Sequence, residues 1–123
     1  MARSIVTCIY PYFLLQEIQR PRIVKAPLNQ SASIGSNVTF NCAVRGHPKP
    51  NITWTKDNDS GFLQFNPRAN VVTDRKKLYS QLVITGVKGE DYGKYQCVAK
   101  NIAGMRTSKG AFLNPGNLGE ALY

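Results

Sequence analysis

A chain of 123 residues has the length of one domain and can bury about two-thirds of the surface its unfolded form exposes. Its 42% hydrophobic and 19% charged content excludes a disordered chain. Sixteen Lys plus Arg against seven Asp plus Glu leave a net charge of +9. That excess favours acidic partners (sulfated glycans, anionic membrane surfaces or nucleic acid) without choosing among them.

Residues 1–20 stand apart. An early arginine and an apolar run from Ile5 to Leu15 give the charge order of a secretory signal. Pro11, Tyr10 and Tyr12 within the run, and the lack of a small-x-small cleavage site, count against one. The segment reads as a degenerate signal or a fragment boundary. No apolar run reaches the eighteen or so residues of a membrane-spanning helix, and no hydrophobic tail fits a lipid anchor.

After Arg20 the pattern changes to short alternating runs. SNVTFNCAV sets Val38, Phe40, Cys42 and Val44 on one face. NITWTK does the same for Ile52 and Trp54, YSQLVIT for Leu82 and Ile84, and KYQCVAK for Tyr95, Cys97 and Ala99. Period two with β-branched and aromatic residues predicts strands. The intervening RGHPKP, KDNDSG and ITGVKGED are turn chemistry, which places His47 in a turn. No stretch carries a 3.6-residue apolar stripe. The class is all-β, a sandwich or a barrel.

There are three cysteines, no Cys-x-x-Cys pair and a single histidine, His47, so a closed zinc site would lack ligands. No metal or other cofactor is implied. If Cys42 and Cys97 point inward from different strands they can meet across the core, with Trp54 beside them and Cys8 left over. A bridge closing that loop of about 56 residues would remove roughly 4 kcal/mol of unfolded-state entropy on the chain-entropy account.

Several motifs together carry a resemblance. Cys42, Trp54 twelve residues later, and Asp91-x-Gly93-x-Tyr95-x-Cys97 form the first set. Leu82-x-Ile84 before Val87, GHPKPNITW, and Asn101-Ile-Ala-Gly104 form the rest. Over residues 21–113 the chain resembles an intermediate-type (I-set) immunoglobulin domain, with a short tail at 114–123. The resemblance implies a two-sheet antiparallel sandwich with Greek-key connections. It implies a Cys42–Cys97 disulfide packed on Trp54, with Leu82 in the core. Tyr95 becomes a tyrosine corner, Gly93 the tight turn before it, and Asp91 the residue that fixes the preceding connection. GEDYGKYQC is then fold machinery, and no enzyme activity is expected.

Four Asn-x-Ser/Thr sequons, at Asn29, Asn37, Asn51 and Asn58, exceed the one or so that composition gives by chance. Asn37 and Asn51 each precede an inward residue, and Asn29 and Asn58 fall in connections, so all are expected to point outward as glycan acceptors. The resemblance implies a non-catalytic extracellular recognition module. It would be part of an adhesion molecule or receptor ectodomain, or a short secreted form, binding a protein ligand or another immunoglobulin domain through a sheet face or end loops. The alternative is an intracellular structural module of a muscle-type scaffold, which has no use for sequons. Nucleic acid is not expected, because the aromatics are assigned to the core and leave no stacking platform.

The family pattern turns Gly110 and Phe112 inward and leaves Lys109 outward, beside Lys94 and Lys100 on one sheet face. Arg75, Lys76 and Lys77 form a second basic cluster in a turn. That face is the expected partner surface, with affinity for heparan sulfate as a hypothesis. The competing reading is a solvated face whose lysines keep it soluble, and their wide spacing speaks for it.

Overall fold

The computed structural model describes residues 17–116. Cys8, most of the 1–20 segment and the end of the 114–123 tail lie outside the described residues. The described strands are β1 (Gln19–Lys25), β2 (Gln30–Ala32), β3 (Val38–His47), β4 (Asn51–Lys56), β5 (Ala69–Asp74), β6 (Tyr79–Ile84), β7 (Gly93–Asn101), β8 (Gly104–Thr107) and β9 (Ala111–Pro115). They form two sheets, ordered β1-β3-β6-β5 and β2-β9-β7-β4, with β8 pairing β7. The chain changes sheet after β1, β2, β3, β4 and β6, the Greek-key path of an immunoglobulin-like sandwich. Pairing is antiparallel except between β2 and β9, which run parallel.

Alternation explains the core. Val38, Phe40, Cys42 and Val44 from β3 meet Trp54 from β4 and Tyr95, Cys97 and Ala99 from β7, all buried, with Leu82 and Ile84 from β6. Cys42 and Cys97 are joined, their Cα atoms 6.5 Å apart, so the middle strands of the two sheets are tied. Trp54 sits opposite Cys97 on the neighbouring strand, and Ser80 sits opposite Cys42. The indole Nε1 donates to Ser80 Oγ at 3.0 Å and so runs across the core beside the disulfide. Ser80 also shares a 3.0 Å hydrogen bond with Thr73, so its buried hydroxyl keeps a second partner. The Tyr95 ring stacks on Phe40 at 5.0 Å and meets Phe62, from a 3-10 turn at Phe62–Phe65, edge-on at 5.8 Å.

Two positions differ from the sequence reading. His47 is the last residue of β3, not a turn residue, because β1 pairs along β3 as far as Gln19↔His47. The inward residues near the C-terminal end are Ala111 and Leu113, whereas Phe112 is 45% exposed. The cause is a register slip. β8 pairs with β7 as Val98↔Thr107, but β9 resumes as Tyr95↔Ala111, so the chain carries one residue more than the partner strand. Ser108 turns inward there: its amide donates to Cys97 O at 2.9 Å and its hydroxyl accepts from Cys97 N at 3.0 Å. Lys109 and Gly110 then separate it from Ala111, and a bulge of this kind inverts the alternation beyond it.

Candidate binding surface

The outward faces of β4, β7 and β8 form rows that the register defines. Thr53, Val98 and Thr107 make one row; Asn51, Lys100 and Met105 make the next. With Thr55 and Ser60 these side chains line a shallow depression of about 440 Å³. Hydroxyls flank a valine, and Met105 stands 63% exposed at the edge. A surface of small polar groups around a flexible apolar side chain suits contact with another protein.

The expected basic residues do not form one patch. Lys94 lies six residues from Lys100 along β7, about 20 Å in an extended strand. Its stem covers Gly110, where a Cβ would come within 2.8 Å of the Lys94 chain, and it stands opposite Phe112. Lys109 is exposed within the bulge. At the other end Arg75 Nη1 donates to Asn51 Oδ1 at 2.8 Å, and Asn51 is the cross-strand partner of Lys100. Arg75 therefore lies near Lys100 through Asn51, which linear reading missed because Arg75 follows β5 of one sheet and Asn51 opens β4 of the other. Lys76 and Lys77 are exposed, their amides both donating to Asp74 Oδ1.

All four sequon asparagines are exposed. Asn58 and Asp57 both have positive φ, 69° and 50°, in the two-residue turn closed by the Lys56–Asp59 backbone pair. Asn and Asp are the side chains that tolerate this conformation best after glycine. Asp57 is held below its ordinary carboxylate value, chiefly by the Lys94 N–H donating to it at 2.9 Å and further by Lys56 at 3.1 Å. Gly93 is required there: a Cβ would fall 2.7 Å from Asp57 Oδ2.

Behind the surface, Tyr95 Oη donates to the Asp91 carbonyl at 2.6 Å. Burial, and then the nearby Asp91 charge, push the Tyr95 phenol well up. The Asp91 carboxylate is only 1% exposed. Burial alone would raise its pKa, yet Arg68, the Lys88 amide and Asn66 together hold it below the ordinary value. Arg68 pairs with it through both terminal nitrogens, and Asn66 Nδ2 donates at 2.9 Å. Neither Arg68 nor Asn66 was singled out from sequence. The available signal was a buried acid, which needs a cation.

Residues 20–101 match the family model described as an immunoglobulin domain. The chain is 32% identical over 114 residues to the mouse (Mus musculus) protein named peroxidasin homolog, covering 84% of this chain and 7% of that one. It is 35% identical over 105 residues to vascular endothelial growth factor receptor 2 of Coturnix japonica, covering 85% of this chain and 7% of that protein. The crystal structure of the titin M3 domain superposes with a TM-score of 0.71 at 28% identity, covering 80% of this chain and 98% of that one. The chain thus spans a small fraction of the curated relatives' length and nearly all of a single solved domain.

Proposed function

Because this chain belongs to the immunoglobulin-domain family, we propose that it is a non-catalytic, extracellular recognition module. It binds a protein partner through the β4-β7-β8 face. The observation that carries the reading is the exposure of all four sequon asparagines on a sandwich tied by the Cys42–Cys97 disulfide. A disulfide serves an oxidising compartment, and outward acceptors allow glycans that leave the core intact. Similarity to a protein named as a growth-factor receptor supports the same compartment. The Thr53–Val98–Thr107 row with Met105 supplies the contact surface.

The test uses the full chain expressed in animal cells. Material from the medium or cell surface should shift on a gel after glycosidase treatment and run differently with and without reductant. A chain found only in the cytosol, unshifted and reduced, would favour the intracellular scaffold reading suggested by the titin likeness. The surface is tested by panning against an array of ectodomains. A partner held by the wild type should be lost by Val98→Glu with Thr107→Arg, which leaves every sequon intact, and one held equally by both would refute the face.

A further inference from the structure

A second charged site lies on the other sheet. β1 pairs with β3 so that Arg22 stands directly opposite Arg45. Like charges in that position repel and weaken the pairing. Arg20 joins them: these three arginines, with Gln19 and Gly46, line a concavity of about 240 Å³. All three are exposed, and among the described residues no ion pair joins any of them to a carboxylate. Such a cluster is electrostatically unfinished.

It is nonetheless held in place. Asn101 Nδ2 donates to Gln19 O at 2.7 Å and to Pro48 O at 3.0 Å, tying the start of β1 to the β3–β4 turn and the end of β7. Gly46 allows the close approach, since a Cβ there would lie 2.8 Å from Pro50 Cγ and 3.2 Å from Pro21 Cα. Buried Pro21 between Arg20 and Arg22 sends both side chains outward. The Arg20 stem crosses Gly104 at 3.9 Å from where a Cβ would stand. The backbone that carries the guanidinium groups is thus fixed before any ligand arrives.

We propose that Arg20, Arg22 and Arg45 form an anion site for the sulfate groups of an extended sulfated glycan. Guanidinium groups bind tetrahedral oxyanions through paired N–H donors, which lysine cannot reproduce. Two residues along a strand span about 7 Å and cross-strand neighbours about 5 Å, a spread suited to one or two sulfates on adjoining sugars. The concavity is open, so a single free anion gains little, whereas a polymer lying across it adds contacts at both ends. It has no aromatic shelf for bases, which sets nucleic acid behind. It has no apolar pocket to seat peptide side chains, which sets an acidic peptide behind. A sulfated glycan meets the site only outside the cell, so its biological use rests on the extracellular reading, but its binding in solution does not.

The experiment is salt elution of the full chain from immobilised heparin, with competition by desulfated heparin, polyglutamate and single-stranded DNA. Arg22→Gln with Arg45→Gln should elute at clearly lower salt and reduce the slope of log affinity against log salt by about two, one per lost cation. Lys94→Ala with Lys100→Ala and Lys109→Ala should lose less. Arg22→Lys with Arg45→Lys, which keeps charge but not the fork, should fall between. Removing the repelling pair should leave the melting midpoint unchanged or raised. If the double variant melts lower, Arg20→Gln reads the same site. Elution of the arginine variants with wild type would overturn the site. Equal competition by desulfated heparin, polyglutamate or DNA would overturn the ligand class. The secretion and panning assays above are read independently of both results.

Discussion

Tyr95→Phe deletes one oxygen and leaves the ring packing against Phe40 and Phe62 in place. The lost hydrogen bond, 2.6 Å to the Asp91 carbonyl, is worth about 1 kcal/mol net if its partner can turn to water. Asp91 is 1% exposed, so that escape is closed and the stranded carbonyl adds about 1 kcal/mol or more. The expected loss near pH 7 is about 2 kcal/mol, read in urea as a lower midpoint at unchanged slope. A pH series isolates the hydroxyl further. The folded phenol titrates well above its ordinary 10.0. Its contribution is therefore complete below pH 10 and is lost as pH rises from there toward the folded value. The phenylalanine variant lacks this group, so the gap between the two proteins should narrow above pH 10. A loss below about 0.5 kcal/mol, or a gap that widens with alkalinity, would refute the corner's energetic role.

Trp54→Ala should cost about 3–5 kcal/mol through the cavity left beside the disulfide, with Ser80 still held by Thr73. A denaturant titration showing under about 1 kcal/mol would remove Trp54 from the core. Asp91 titrates below its ordinary 3.8 when folded, so it contributes above that value and the contribution fades as pH falls through the folded pKa. Acid unfolding of Asp91→Asn should accordingly show a shallower pH dependence below about pH 4 than wild type. The bulge is tested by a pair. Phe112→Ser should change stability by no more than about 0.5 kcal/mol, whereas Leu113→Ala should cost about 2–5 kcal/mol. The reverse order would restore the unbulged register.

The strands that alternate without interruption were the most legible: β3 and the first seven positions of β7 have the same inward sets in sequence and structure, while β4 keeps Trp54 inward with Ile52 half-buried and β6 keeps Leu82 and Ile84 but adds Ser80. Legibility ended where alternation broke. The residues from Ser108 to Gly110 contain no signal that one of them is surplus; only the pairing of β8 and β9 with different stretches of β7 reveals it. Long-range partners were equally hidden. Arg68 lies 23 residues from Asp91, and Arg75 lies 24 from Asn51, each reached from a different strand or turn. The Arg22↔Arg45 pair depended on the register of β1, whose QRPRIVK lacks the period-two pattern and whose pairing is irregular on both sides of that match. Single residues such as Ser80 could have been found, because it stands at an inward position two before Leu82 and a buried indole needs an acceptor.

Mechanical load would meet this topology in a definite order. Gln19 is pinned beside Asn101 at the end of β7, while β9 runs back along β7 to place Leu113 opposite Gly93 at its start. Tension between the two ends of the sandwich therefore acts along its long axis. β2 and β9 are parallel and would be drawn in opposite directions, so the bonds between them are loaded together in shear and do not open one at a time. Once they yield, the Cys42–Cys97 bond keeps the segment between those cysteines from lengthening. Only the flanking stretches from Gln19 to Cys42 and from Cys97 to Pro115 can pay out, about 140 Å at full extension. An oxidised domain would act as a tether of limited reach, and reduction would more than double its length.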